Sequence, residues 1–237
     1  VLVVSIFVNP MQFGAGEDYK DYPRKWERDI ELISSVNADC IFAPDAEEMY
    51  PQGYQTSVKV GNLTKNLCGI ARPAHFEGVA TVVSKLFNCV MPTSAIFGKK
   101  DFQQLVVIKR MVRDLDFDLE IIGAPIVREP DGLALSSRNI YLNANERIAA
   151  LCLSRSLFEV KKLFDAGERD AARLRDYAQS IICSEKHARI DYIKICDVET
   201  LEDVTCIERE AVMALAVYFG RARLIDNIVL SKTNDVS

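Results

Sequence analysis

The chain has 237 residues, a net charge of −5, and 49% hydrophobic and 27% charged residues. These values are ordinary for a soluble globular protein with one large domain or two modest ones. The negative charge argues against a general nucleic-acid binder, which usually presents a basic face, and no apolar run reaches the roughly 18 residues of a membrane span. Seven scattered cysteines without a CxxC pair are typical of buried, reduced thiols in a cytoplasmic protein. The two histidines are too few and too far apart for a zinc site.

The first half of the chain alternates between short apolar runs and segments with helical periodicity. Strands are predicted at 1–8, 40–44, 55–61, 94–98 and 119–127. Helices are predicted at 22–37, 75–90 and 101–115. Alternation at this rhythm predicts an α/β fold with a doubly wound parallel sheet.

The second half of the chain has a different order of elements. Helices are predicted at 143–166 and 170–184, followed by strands at 192–196, 211–219 and 222–230. Helices followed by strands indicate a smaller α+β domain. We therefore expect a first domain at 1–125 and a second at 126–237.

The first predicted strand begins at Val1 itself. Parallel strands that are covered on both faces are nearly continuous Val, Ile and Leu runs, and such a strand is rarely the first element of a fold. We therefore expect that a segment precedes Val1.

One candidate phosphate site is the sequence FGKKDFQQL at 97–105. Gly98 ends a predicted strand, and open α/β sheets bind ligands at the carboxyl ends of their strands. Gly permits close backbone approach, Lys99 and Lys100 add positive charge, and Asp101 is a plausible N-cap for the following helix. The same residues are equally compatible with a capped surface helix whose lysines are solvated.

A second candidate phosphate site is DGLALSSRNIYL at 131–142. Ser136, Ser137 and Arg138 form a compact group of hydrogen-bond donors. The planar fork of Arg suits a phosphate, and the two hydroxyls and adjacent amides could complete an anion-binding nest. The alternative is a turn that caps the following helix, although Asn143 or Asn145 could also fill that position.

Two further loops carry polar side chains next to predicted elements. Gln12 follows the first strand within VNPMQF and could bind a substrate at the sheet edge. His75 precedes a predicted helix, where a cap or a satisfied core residue is the more common role for a single histidine.

Six segments, in this order along the chain, carry a family resemblance: IFVNPMQF, YPR, ARPAHFEGVATVVSKLFN, FGKKDFQQL, DGLALSSRNIYL and ARLIDN. From Val1 to about Asn227 the chain resembles the pantothenate synthetase (pantoate–β-alanine ligase) family. The resemblance implies a Rossmann-like, HUP-type nucleotidyltransferase domain followed by a smaller α+β domain that closes over ATP.

The resemblance also implies a reaction. ATP and (R)-pantoate give pantoyl adenylate and diphosphate with Mg²⁺ on the phosphates, and β-alanine then releases AMP and pantothenate. A homodimer in the cytoplasm is implied as well. A non-catalytic nucleotide-binding remnant and another adenylate-forming nucleotidyltransferase of the same fold remain open as alternatives.

Site residues are implied wherever this chain matches the family motifs. Pantoate and β-alanine contacts fall on Gln12 and Gln104, with Asn9 and Arg72 as weaker candidates. ATP contacts fall on Gly98, Lys99, Lys100, Asp101, Val127, Leu135, Ser136, Ser137 and Arg138. Among these, Lys100 and Arg138 are expected to be catalytic, because they can stabilise charge on the reacting phosphoryl group and the departing diphosphate.

Three departures from the family pattern stand out. The first βα unit of the family, with its histidine-containing phosphate motif, has no counterpart here, so the expected catalytic histidine cannot be numbered. Lys99 stands where the family usually has an acidic residue. Arg28 and Asp29 occupy a place where some members carry paired acids, which leaves Asp29 as the candidate Mg²⁺ contact.

Overall fold

The first half of the chain forms short strands connected by helices. A computed structural model describes residues 1–14 and 18–232. The strands are β1 (Val3–Ser5), β2 (Cys40–Phe42), β3 (Ser94–Gly98) and β4 (Glu120–Ala124). The α-helices are α1 (Trp26–Ser35), α2 (Ala46–Met49), α3 (Cys68–Ala71), α4 (His75–Val90) and α5 (Phe102–Asp114). Short 3₁₀ helices lie at Pro10–Gln12, Asn62–Thr64 and Lys99–Asp101.

The strands of this half form two two-stranded sheets. β1 pairs with β2 in parallel, with Val4 opposite Ile41, and β3 is hydrogen-bonded to β4. Helix α4 is largely buried because its apolar residues recur at helical spacing, with Phe76, Val79 and Val83 among them.

The second half forms helices and then an antiparallel sheet. Its helices are α6 (Ala144–Ala150), α7 (Cys152–Asp165) and α8 (Ala171–Cys183), preceded by a 3₁₀ helix at Ser137–Tyr141. Its strands are β5 (Ala188–Asp197), β6 (Ala211–Phe219) and β7 (Ala222–Leu230). They pair antiparallel in the order β5-β6-β7. β6 is the central strand and is buried along almost its whole length, and its side chains join those of α7 and α8 in one hydrophobic core.

The chain divides into two compact units that are not continuous in sequence. The first consists of Val1–Ala95 and Val107–Ile121, and the second of Ile96–Val106 and Ile122–Ser237. The second unit resumes at Ile122 and also includes the segment Ile96–Val106. The division expected from the sequence lies at 125/126. Within the described residues, no helix combines the length and the apolar character that crossing a membrane requires.

Several predicted elements have other bounds in the structure, for example β5 (Ala188–Asp197) against a predicted 192–196. Three further differences concern the segments 55–61, 1–8 and 143–166. Residues 55–61, all of which are described, form no strand: the Val58 amide donates to the hydroxyl oxygen of Thr81 at 2.9 Å instead of to a neighbouring strand. The first strand is shorter than predicted, and Val1 is fully exposed. The helix predicted at 143–166 is two helices, because a tightened turn interrupts the helix where the Leu151 amide donates to the Ile148 carbonyl.

Candidate active site

The turn that follows β3 is the first of the predicted phosphate-binding segments. Gly98 has extended backbone angles, φ −69° and ψ 133°, which any residue can adopt. A Cβ atom placed on Gly98 would have no described atom within 4 Å. The folded chain therefore gives no steric reason for glycine here, and the space in front of Gly98 is open.

The two lysines of this turn have different environments. Lys99 is exposed, and its stem lies over β4, where a Cβ on Gly123 would be 3.1 Å from Lys99 Cε. Lys100 is partly buried, and this burial lowers the pKa of its ammonium group. The carboxylates of Asp101 and Asp226 act in the opposite direction, and Arg138 adds to the lowering. Of the two lysines, Lys100 is therefore the one that interacts with several other charged groups.

Two consecutive residues of β7 interact with this turn, Asn227 through the backbone and Asp226 through the charge of Lys100. The side-chain amide of Asn227 donates to the backbone carbonyls of Lys99 at 3.0 Å and Lys100 at 2.8 Å. Asp226 is only 2% exposed and accepts two hydrogen bonds from Arg128, at 2.6 and 2.9 Å. Both residues belong to the ARLIDN motif, whose pattern by itself indicates no role for them.

A tight hairpin at 127–135 carries two of the predicted ATP contacts. Leu135 donates its amide to the Val127 carbonyl at 2.9 Å, and Gly132 makes the turn with φ +96°. Because Arg128 and Ala134 pair across the hairpin, Val127 and Leu135 are also opposite each other and share a face. Their side chains are 65% and 56% exposed. They form an apolar surface of the kind that can cover a planar base.

The 3₁₀ helix at Ser137–Tyr141 carries the remaining predicted ATP contacts. Ser136 is its N-cap, and its hydroxyl accepts from the Arg138 amide at 3.3 Å. Asn143 caps the next helix, α6, through a capping box with Glu146. The serine turn therefore does not cap the helix predicted at 143–166, whose cap is Asn143, and Ser136 caps only the short 3₁₀ helix. Ser137 is exposed and Arg138 is partly buried.

Lys100 and Arg138 are brought together within the second unit. The division predicted at 125/126 assigns these residues to different domains, whereas both belong to the unit formed by Ile96–Val106 and Ile122–Ser237. Gln104, in the first turn of α5, belongs to the same unit.

Gln12 lies in a second polar cluster, within the first unit. Its backbone carbonyl accepts from Arg72 at 3.2 Å and from His75 Nδ1 at 2.7 Å. Its side-chain carbonyl accepts a longer bond of 3.4 Å from Asn9, which is 1% exposed and also accepts from the Tyr50 hydroxyl at 2.8 Å. His75 therefore anchors the loop and does not cap α4, whose N-cap is Ala74.

Tyr50 was not found from the sequence because no local pattern distinguishes it. Burial, with a smaller contribution from the neighbouring Tyr54, raises the pKa of its hydroxyl to about 12. The Tyr50 hydroxyl is thus a neutral hydrogen-bond donor to Asn9 across the ordinary pH range.

The one predicted Mg²⁺ contact is Asp29. Asp29 lies in the first turn of α1. Within residues 1–14 and 18–232, no group of three or more His, Cys, Asp or Glu side chains is arranged to hold a metal.

This combination of an α/β first part, a lysine and an arginine gathered at a strand end, and an α+β second part is that of an ATP-using, Rossmann-like nucleotidyltransferase. A family model described as Pantoate-beta-alanine ligase matches residues 1–229. The chain belongs to the pantoate-beta-alanine ligase family, and its activity is that of an AMP-forming pantoate–β-alanine ligase. The predicted fold class, a Rossmann-like parallel α/β domain with a smaller α+β domain, is confirmed.

Two pantothenate synthetases are similar to this chain along nearly its whole length. The pantothenate synthetase of Syntrophus aciditrophicus (strain SB) is 58% identical over 231 residues, which is 98% of this chain and 81% of that protein. The pantothenate synthetase of Geobacter sulfurreducens is 57% identical, covering 98% of this chain and 82% of that protein. The family model matches from residue 1 onward, and the chain spans about four fifths of the length of these relatives.

Solved structures agree with these matches. A crystal structure of pantothenate synthetase from Thermus thermophilus has a TM-score of 0.94 and 46% identity, and covers 97% of this chain and 83% of that one. A pantoate-beta-alanine ligase from Francisella tularensis, complexed with beta-gamma ATP and beta-alanine, has a TM-score of 0.75 and 33% identity over 97% of this chain and 79% of that one.

Proposed function

We propose that this chain condenses (R)-pantoate with β-alanine through a pantoyl-adenylate intermediate, and that Lys100 and Arg138 are its catalytic residues. The observation that carries the proposal is the convergence of Lys100, Arg138 and the carboxylate of Asp226 at the end of β3. Pantoate's carboxylate attacks the α-phosphorus of ATP, so the step needs positioning and charge stabilisation more than a covalent nucleophile.

Each part of the second unit has a place in this step. The ammonium of Lys100 and the guanidinium of Arg138 stabilise the charge that grows on the α-phosphoryl group and on the departing diphosphate. Open space at Gly98 lets phosphate oxygens approach the backbone. The remaining proposed ATP contacts are Lys99, Asp101, Val127, Leu135, Ser136 and Ser137, of which the two apolar residues would face the adenine.

Pantoate and β-alanine are assigned to the amide side chains of Gln12 and Gln104. Amides bind hydroxyl and carboxylate groups without adding negative charge next to ATP. Arg72 and His75 donate hydrogen bonds to the backbone carbonyl of Gln12 and so fix the loop that carries it. This supports a role that needs a defined geometry.

Mg²⁺ is proposed to enter as part of the substrate, coordinated by the phosphates of ATP. Mg²⁺ commonly binds in this way, with few protein ligands, and the described residues offer no metal cluster. No step here depends on Asp29. The family resemblance also supports a cytoplasmic homodimer, and sedimentation equilibrium of the purified chain tests the dimer.

The proposal is tested by comparing Lys100→Ala with its neighbour Lys99→Ala. The readout is pantoate-dependent exchange between ATP and labelled diphosphate, which reports adenylate formation alone. We expect Lys100→Ala to lower the exchange rate on the order of 100- to 1000-fold, the usual cost of removing one transition-state contact. Lys99→Ala removes an exposed proposed ATP contact, so it is expected to cost far less, about fivefold or below, as for an exposed ion pair.

Two results would contradict this assignment. Equal losses in the two variants would mean that the phosphate contact is placed on the wrong lysine. Exchange that needs no pantoate, or AMP release that needs no β-alanine in the complete reaction, would exclude the proposed ligase chemistry. ATP binding without any exchange would instead favour a nucleotide-binding remnant.

A further inference from the structure

Asn227 makes an unusual contact for a residue in the middle of a strand. It is 5% exposed, and its side-chain amide donates to two consecutive backbone carbonyls, those of Lys99 and Lys100. The contact joins positions that are 127 and 128 residues apart in sequence. Both oxygens belong to the 3₁₀ turn that starts α5, so the contact holds the backbone from which the Lys100 side chain extends.

The strand that carries Asn227 provides a firm base for this contact. β7 pairs with β6 without a register shift, with Asn227 opposite Ala214. Asp226, the preceding residue, is fixed by the bidentate pair with Arg128, and its carboxylate attracts the Lys100 ammonium. Consecutive residues of one strand thus act on Lys100 in two ways, through its backbone and through its charge.

We infer that Asn227 is a positioning residue for adenylate formation, because its amide fixes the Lys99–Lys100 carbonyls and so sets where the Lys100 ammonium meets the triphosphate. The inference rests on the proposed function of Lys100. Small errors of position are costly in a reaction that depends on alignment, and a shift of about 1 Å can reduce a rate on the order of 100-fold.

A purely structural role for Asn227 makes a different prediction. Buried amides are normally hydrogen-bonded, and losing the bonds would destabilise the fold. In that case the variant would melt earlier and yield less folded protein, but each folded molecule would turn over normally. Turnover per folded site therefore separates the two roles.

The test is a double-mutant cycle of Asn227→Leu and Lys100→Ala in the whole chain. Leu has the branched shape of Asn, with a larger volume, and removes its two N–H donors. We expect Asn227→Leu alone to lower the kcat of pantoate-dependent ATP–diphosphate exchange on the order of 100-fold, while the KM for β-alanine in the complete reaction stays within about twofold. In the Lys100→Ala background the same change should cost less than about threefold, since residues that act together are not additive.

Ser156→Ala provides the matched control. Ser156 is fully buried in α7, and its hydroxyl donates to the Leu153 carbonyl at 2.8 Å. Its loss removes a buried hydrogen bond from the same unit without touching the turn after β3. We expect it to lower the melting temperature and to leave the exchange rate per folded site unchanged.

The outcomes are distinct. Full additivity in the cycle, or normal exchange by folded Asn227→Leu, overturns the positioning role while leaving the proposed function in place. Normal exchange by Lys100→Ala alone overturns the proposed function and this inference with it. If Asn227→Leu does not fold, Asn227→Ser takes its place in the cycle, because a serine hydroxyl is too short to span both carbonyls.

Discussion

At the scale of single residues, neighbouring side chains of one chemical type have separate roles. Lys99 and Lys100 are adjacent, yet the stem of Lys99 lies over Gly123 and Lys100 is drawn among Asp101, Asp226 and Arg138. Local pattern alone does not separate them, because Gly123, Arg138 and Asp226 follow more than 20 positions later in the chain. The residue that is desolvated and surrounded by charge is the better candidate for chemistry.

Gly98→Ala is expected to reduce ATP binding without reducing stability. The added methyl group meets no described protein atom within 4 Å, and φ of −69° suits alanine, so the fold tolerates it. A phosphate that approaches the backbone at this point would meet the methyl group directly. We expect the KM for ATP to rise on the order of 10-fold or more, a cost of about 1.4 kcal/mol. An unchanged KM would mean that no ligand uses this space.

The pH dependence of adenylate formation should report the Lys100 ammonium. Burial lowers its pKa from the usual 10.5, against the opposing carboxylates of Asp101 and Asp226. If the reaction needs the charged form, activity is maximal below the lowered pKa and falls as the pH rises through it. This fall begins at a lower pH than the ordinary lysine pKa of 10.5 would give. Lys100→Arg keeps its charge throughout this range, so its kcat/KM for ATP should lose the alkaline fall.

Lys99→Arg is the matching control for that measurement, because it makes the same chemical change one residue away. Its alkaline limb should coincide with that of the unaltered protein. An alkaline fall that persists in Lys100→Arg would assign the titration to a different group.

At the scale of elements, the sequence predicts the bounds of those helices and strands that are set by local periodicity. Helix α4 and strands β3, β6 and β7 have the predicted bounds, since each is a continuous apolar or periodic run. The segment 55–61 alternates as a strand does, but its Val58 amide bonds to the Thr81 hydroxyl. Alternation shows that one face is buried and does not supply a partner strand.

The loop that carries Gln12 depends on a glycine in α4. A Cβ on Gly78 would lie 2.7 Å from the Gln12 backbone nitrogen and nearer still to the Met11 carbonyl. Gly78→Ala should therefore displace the loop, although alanine favours a helix by about 1 kcal/mol. We expect the KM for pantoate to rise on the order of 10-fold, measured by the exchange reaction at saturating ATP.

Gly61→Ala is the control for the Gly78 change, since a methyl group at this position has no described atom within 4 Å. It should leave the KM for pantoate unchanged. A silent Gly78→Ala would show that the loop can shift without consequence, and Gln12 would lose its assigned role.

At the scale of the whole molecule, compact units and sequence segments do not coincide. Residues Ile96–Val106 belong with the C-terminal residues, and the contact from Asn227 to the Lys99 and Lys100 carbonyls is one physical reason. Composition and periodicity contain no information about pairs 127 residues apart. The candidate site residues are predictions from resemblance to a family, whereas the contacts that Asp226 and Asn227 make with them could not be predicted from the sequence.

The cysteines allow this folded arrangement to be checked in solution. All seven lie in the described residues: Cys40, Cys89, Cys183 and Cys206 are exposed, and Cys68, Cys152 and Cys196 are buried. Burial raises the pKa of the Cys152 and Cys196 thiols to about 12, so these also lack reactive thiolate. Titration with a disulfide reagent should give rapid reaction of four thiols in the native protein and of seven in denaturant. Rapid native reaction at Cys152 or Cys196 would contradict this packing.

The partly buried ammonium of Lys100 has a consequence for the energy of the empty enzyme. A lowered lysine pKa means that the charged form is less favourable in the folded chain than in the unfolded one. At neutral pH the charged Lys100 therefore lowers the free energy of unfolding. This destabilisation decreases as the pH rises through the lowered pKa. Catalytic sites commonly give up stability for activity in this way. Lys100→Met should therefore melt at a higher temperature than the unaltered protein when both are empty, and gain less from added ATP. Bound ATP is then both the substrate and a counter-ion of Lys100 that stabilises the folded protein.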